Sequence, residues 1–189
     1  WAGVGRSDDR DSRTAGVSAA STAIAGRTDS KLIVVFASER HDLQALVDGI
    51  NDESGGVALI GCSTAGEIAT NGPGDAGVVV FVLGGGGFSV TTAAAEQASQ
   101  GLREAGAEAA RCMTANDPKP HSVMVMLTVA LASGQAEILR GTYGVVGAAV
   151  PLVGGCAGDD LKMNATYQLH GTRVLIDAVV AAVAGLAGR

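Results

Sequence analysis

Aromatic side chains are scarce in this sequence, 3% of 189 residues. They are Trp1, Phe36, Phe81, Phe88, Tyr143 and Tyr167. A core must therefore be built from Val, Leu, Ile and Ala, and no aromatic platform is available for stacking nucleic-acid bases. Charge is also sparse, at 17%, and the net charge is −6. The thirteen basic residues form no cluster, which excludes the basic stripe that a phosphate backbone or an anionic membrane surface requires. Three cysteines without a CxxC pair argue against a disulfide framework and a structural zinc site, and for a reduced cytoplasmic protein. The opening WAGVGRSDDRD is acidic where an export signal is basic. The uncharged run Ala76–Ala95 has the length of a bilayer span, about 20 residues. Four consecutive glycines break it, so two strands joined by a turn are expected instead.

Small and apolar residues are plentiful. Hydrophobic residues make up 47% and there are 28 glycines, enough for one ordinary domain spanning residues 1–189. Apolar β-branched runs predict buried strands at 31–38 (KLIVVFAS), 57–61 and 122–129. Strands are also expected at 1–5, 77–83, 88–92, 151–155, 166–170 and, without a break, 173–183. Helical spacing of small apolar residues predicts helices over 14–27, 43–50, 94–111 and 136–146. Residues 63–74, 116–120 and 156–164 read as loops, and Gly84–Gly87 as the turn of a hairpin.

The two halves of the chain, about 1–86 and 87–189, repeat each other. LIVVFAS (32–38) aligns with VMVMLTV (123–129). LIGCSTAGEI (59–68) aligns with LVGGCAGDDL (152–161) with one gap, pairing Leu59 with Leu152, Gly61 with Gly154, Gly66 with Gly158 and Glu67 with Asp159. DAGVVVFVLG (75–84) aligns with DAVVAAVAG (177–185). Three blocks in one order imply a duplicated β-α-β-α-β-β unit. The expected fold is α/β, a mixed sheet flanked by helices and built from two similar halves.

VALIGCSTAGEI (57–68), PLVGGCAGDDL (151–161) and TYQLHGTRVLIDAVV (166–180), in this order, resemble the N-terminal domain of the FIST family. The opening AGVGRS and the Ala-rich segment after it are similar too. The resemblance implies a cytoplasmic sensory domain for small ligands, amino acids among them, joined to a companion C-terminal FIST domain or a signalling output domain. Neither partner is expected within these 189 residues. One branch of the family is reported to bind haem and respond to nitric oxide.

The duplicated turns carry the candidate site. Small residues let main-chain N–H groups approach a ligand, hydroxyls add donors and acceptors, and an acid can meet an ammonium group. Cys62, Ser63, Thr64 and Glu67 in one turn, with Gly155, Cys156, Ala157, Gly158 and Asp159 in the other, are therefore expected to line a ligand pocket that Tyr167 closes. The competing reading is a pair of tight turns whose polar side chains satisfy their own backbone, with cysteine serving as a small apolar residue. Adjacent Asp159 and Asp160 lack a third carboxylate at metal-binding spacing, so neither metal nor cofactor is expected. Haem ligation would fall to His41, His121 or His170. A hydrolase would use Ser63 or Cys62 as nucleophile with His170 or His121. However, GCSTAG carries one residue too many for a nucleophile elbow. GPGDAG (72–77) precedes a strand, unlike a dinucleotide-binding loop, and no Gly-Lys pair exists for a P-loop. The expected protein binds a small polar molecule and is not an enzyme.

Overall fold

The computed structural model describes residues 1–115 and 119–186, so part of the loop expected at 116–120 lies outside the described residues. Strands β1 (Ala2–Ser7), β2 (Ser30–Ser38), β3 (Leu59–Thr64) and β6 (Val78–Gly84) alternate with helices α1 (Ser12–Ile24) and α2 (Leu43–Ser54) in the first half. A small hairpin, β4 (Glu67–Ala69) and β5 (Gly72–Gly74), interrupts them. In the second half, β7 (Phe88–Ala95), β8 (His121–Thr128), β9 (Leu152–Cys156) and β12 (Val179–Leu186) accompany α3 (Leu102–Ala110), the single turn α4 (Cys112–Ala115) and α5 (Gln135–Val146). The hairpin of this half is β10 (Tyr167–His170) and β11 (Arg173–Ile176).

The helix starts follow local chemistry. The Asp11 carboxylate accepts from Thr14 N–H ahead of α1, and that of Asp42 accepts from Gln44 and Ala45 N–H ahead of α2. These bonds satisfy donors that have no partner within a first helical turn. Gly55 ends α2 at φ 69°, a conformation that a Cβ disfavours.

The strands form two large mixed sheets. One has the order β1-β6-β2-β3-β10-β11, the other β7-β12-β8-β9. The first four strands of the former repeat the order of the latter, and the registers agree as well. Ile33 lies opposite Leu59 and Met124 opposite Leu152, both pairs parallel. Val80 lies opposite Val35 and Ala181 opposite Met126, both antiparallel. These are the positions that the sequence repeat superimposes. The fold is thus two similar units in four layers. α1 and α2 cover one sheet through a core that includes Ala19, Ile33, Leu46 and Val80, and α3 and α5 cover the other through Ala109, Met124, Ile138 and Ala181. The bare sheet faces meet through Leu32, Val34, Ile60, Leu127, Val180 and Ala182.

Several sequence expectations need correction. Gly84–Gly87 do not close a hairpin. β6 already has β1 and β2 on its two edges, so the glycines carry the chain across to β7 in the second sheet. Residues 63–74 are not a loop throughout, because Ser63 and Thr64 complete β3 and the β4–β5 hairpin follows. Ala94 and Ala95 extend β7 and the helix begins only at Leu102; alanine fits either backbone, and pairing with β12 decides. The expected strand 173–183 breaks at Asp177, which takes φ 54° and accepts hydrogen bonds from Ser99 N–H and Oγ–H. The break sends β11 to one sheet and β12 to the other.

Both helix pairs cross on glycine. A Cβ added at Gly16 would sit 2.3 Å from Leu46 O, and one at Gly49 2.4 Å from Arg13 O. In the second unit the same clash arises at Gly106, 2.1 Å from Ile138 O, and at Gly141, 1.9 Å from Arg103 O. Gly16→Ala and Gly106→Ala are each expected to lower stability by about 1–3 kcal/mol. Gly144→Ala in α5, where an added Cβ meets nothing within 4 Å, is expected to raise it by about 0.5–1 kcal/mol. Urea unfolding midpoints of the three variants measure both effects.

Candidate functional site

Strands β3 and β9 occupy equivalent places in the two units, and their C-terminal ends meet. Gly158 N–H donates to Ser63 O at 2.7 Å and Asp160 N–H to Thr64 O at 3.4 Å. Ser63 Oγ–H donates to Gly158 O at 2.6 Å and accepts from Tyr167 N–H at 2.9 Å. The contact is close enough that a Cβ on Gly158 would lie 2.8 Å from Ala65 N. The two turns therefore touch, with no ligand-sized space between their tips.

Most polar groups nominated from the sequence are engaged within the protein. Glu67 is 2% exposed. Its carboxylate accepts from Thr64 Oγ–H at 2.6 Å and from Gly77 N–H at 3.0 Å. Asp159 is 3% exposed, and its Oδ2 accepts from Asn164 N–H at 2.6 Å and Ala165 N–H at 3.3 Å. Those backbone donors, Asn164 foremost, hold its carboxyl below the usual carboxylate range. Ala157 is buried. Tyr167 borders a separate recess beside His41 and Leu43.

Just inside the meeting point, the two sheets diverge around a cleft of about 390 Å³. Cys62, Thr64, Gly155 and Cys156 border it, four of the nominated residues, together with Gly154. The remaining wall is Phe36, Val125, Leu127 and Val153, which the motif-based reading missed. The repeat held the signal. Phe36 aligns with Leu127, and both face away from the helices toward the opposite sheet. Gln168 lies opposite Cys62 in the β3–β10 register and is fully buried. Its Oε1 accepts from Ala178 N–H, while its Nε2 has no partner among the described residues.

Gly154 shows why glycine stands at this edge. Its φ is +147°, and a Cβ there would sit 1.8 Å from Met126 O. Gly155 beside it has open space where a Cβ would go.

The three thiols differ. Burial pushes Cys62 up to about 12, with Cys156 nearby adding to the shift. Burial likewise raises Cys112 to about 11. Cys156 is exposed, and its sulfur accepts from Thr128 Oγ–H at 3.4 Å. Alkylation of the native protein at pH 8 is expected to label Cys156 alone, with Cys62 and Cys112 reacting only after unfolding; peptide mass mapping reads the sites.

The histidines lie apart from the turns' polar groups. His41 is buried with Nδ1 3.3 Å from Ser12 Oγ, His121 is exposed, and His170 has Nε2 3.1 Å from Thr92 Oγ1. Burial first, then Arg173, lowers the pKa of His170 from its usual 6.5. The unfolded chain then binds this proton more readily than the folded one. The contribution of His170 is expected to be complete above about pH 6.5 and lost as the pH falls through its lower folded value. Thermal melts between pH 7 and pH 5 should show a smaller loss for His170→Gln than for the parent.

Among the described residues, no helix is long and apolar enough to cross a membrane, and no group of three or more His, Cys, Asp or Glu side chains gathers. No curated protein matches the sequence significantly. Among solved structures, the fold is similar to cyanuric acid hydrolase from A. caulinodans, with a TM-score of 0.52 and 10% identity over 100% of this chain and 71% of that one. That likeness is one of fold. The FIST N domain matches residues 31–187, which take in the chain after β1 and α1, including both turns and the residues that line the cleft. The chain belongs to the FIST N domain family, a family of sensory domains.

Proposed function

We propose that this domain senses a small polar molecule, such as an amino acid, bound in the cleft between the two units, and that it acts by binding rather than by turnover. The observation that carries the reading is the cleft of about 390 Å³ where equivalent strands β3 and β9 converge. Its walls suit a ligand with an apolar body and a compact polar end. Phe36, Val125 and Leu127 supply apolar surface. Thr64 Oγ, whose proton goes to Glu67, can accept, and the main chain at Gly154 supplies a donor and an acceptor that no described strand uses.

The hydrogen bonds of Glu67 and Asp159 bear on ligand chemistry. Both carboxylates are engaged internally, so the polar end of an amino acid would be met by main-chain groups and the Thr64 hydroxyl. Ser63 belongs to the unit junction, since its hydroxyl proton is directed at Gly158 O.

A ligand seated here touches both units at once. If it favours one spacing of the sheets over another, binding shifts their relative position, and a companion C-terminal FIST domain or an output domain reads that shift. Free thiols at all three cysteines suit a reduced, cytoplasmic setting.

A thermal-shift screen against the proteinogenic amino acids and their simple analogues tests the reading. A true ligand at about 100 times its dissociation constant adds about 2.7 kcal/mol of stability, a clear rise in Tm. Gly155→Leu is expected to remove the rise while leaving the ligand-free protein folded, since an added Cβ there meets nothing within 4 Å. A panel that leaves Tm unchanged throughout, or a rise that Gly155→Leu preserves, would overturn it.

A further inference from the structure

We infer that the free edge of β9 is a docking strand for an antiparallel β-hairpin from a third unit of this same fold. It goes beyond the ligand reading, although Val153, Gly154, Gly155 and Cys156 border both the cleft and the recess toward α5.

In the first unit, β10 from the second unit pairs antiparallel with the edge of β3, with Leu169 opposite Gly61 and His170 opposite Ile60. Leu169 is fully buried in the helix-side core of that unit, with Tyr167 and Val174 packed alongside. It lies so close over the strand that its Cδ1 would be 3.0 Å from a Cβ at Gly61. Asn51 on α2 ties the hairpin down by donating to Gly171 O at 3.1 Å.

In the second unit the same place is open. Among the described residues, β9 pairs with β8 on one side and with no strand on the other. Where Leu169 fills the first unit, a cavity of about 290 Å³ lies between α5 and β9, lined by Met126, Ile138, Leu139, Tyr143 and Leu152 among others. Exposure tracks the missing cover. Val47, two residues before Gly49, is fully buried, and Leu139, two before the equivalent Gly141, is 43% exposed. On the sheet's other face, Ile60 is fully buried and its counterpart Val153 is 51% exposed. An apolar edge strand with a free hydrogen-bonding side is a template for strand addition. The junction already present within the chain fixes the register. A large aliphatic residue of the incoming strand lies opposite Gly154, as Leu169 does opposite Gly61, and inserts between β9 and α5.

The occupant is a third unit rather than a second copy of this chain. The first unit's own hairpin, which a second copy would have to offer, is too short. Only residues 65–77 separate β3 from β6, whereas residues 157–178 separate β9 from β12 and carry β10 and β11 across to the first unit. The first unit's hairpin is also held to its own unit, since Glu67 accepts from Gly77 N–H and the Arg6 guanidinium donates to Gly72 O and Pro73 O.

A backbone-cyclised peptide of residues 166–177, the hairpin that this chain lays on β3, serves as the probe, because cyclisation removes most of the ordering cost. Added to the 189-residue protein, it is expected to slow hydrogen exchange at residues 152–156 about tenfold and to leave 59–64, already covered, unchanged. The effect should vanish with a Leu169→Asp peptide and with Leu139→Asp in the protein, an exposed position where the fold tolerates charge. Unchanged exchange at 152–156 with millimolar peptide overturns the proposal. A concentration-dependent dimer that protects 152–156 and is abolished by Leu139→Asp overturns it too, by making a second copy the occupant. A Tm rise with an amino acid that Leu139→Asp leaves intact separates this outcome from the ligand test.

Discussion

The Ser63 hydroxyl joins three separate stretches of chain. It closes the end of β3, donates to the turn after β9 through Gly158 O and accepts the first N–H of β10. Ser63 is fully buried, so no water competes for these bonds, and losing one would leave a buried donor or acceptor unpaired. The same knot decides where a ligand can go. By drawing the turn tips together it closes the space between them, and the room that remains lies one step inside, where Phe36 and Leu127 keep the sheets apart.

The composition follows from the close approaches that this architecture demands. Two helices per sheet cross on paired glycines with main-chain oxygens at the contact, and α1 presents Ala15, Ala19, Ala20 and Ala23 to its sheet. Side chains that small bury little surface each, so the helices must sit near the strands to exclude water. The core is filled by Val and Ile from the sheets, which explains how the fold is completed with so few aromatic residues.

The repeat was the most informative feature of the sequence. Its alignment of 32–38 with 123–129 and of 59–68 with 152–161 matches the strand register of both units. Apolar runs located the buried strands because such runs are buried on both faces, by helices on one side and the other sheet on the other. Connections at Gly84–Gly87 and Asp177 were not legible. Whether consecutive strands pair or part depends on which edges are already taken, and nothing local to a glycine run records that β6 is enclosed by β1 and β2. The site was legible in part. The motif residues were placed at the right strand ends, but turn chemistry cannot distinguish a hydroxyl facing a ligand from one facing a carbonyl across the unit junction. Glu67 and Asp159 read as ligand acids by sequence and serve backbone N–H groups in the fold. The cleft's apolar wall was missed because Phe36, Val125 and Leu127 look like any other core positions within their strands.

Where the two units differ, the differences follow from what covers each edge. By register, Ser63 corresponds to Cys156, since Ala37 lies opposite one and Thr128 opposite the other. In the first unit that position must satisfy an incoming strand's N–H and a neighbouring carbonyl, a task for a hydroxyl that donates and accepts at once. In the second unit no strand arrives among the described residues. Cys156 is exposed, and its sulfur only accepts a hydrogen bond from Thr128. Cys62 and Gly155 show the same asymmetry, a side chain packed between the sheets in one unit and open space in the other. Duplication supplied two equal strand ends; the hairpin that crosses from the second unit to the first made one of them a junction and left the other as the open side of the cleft.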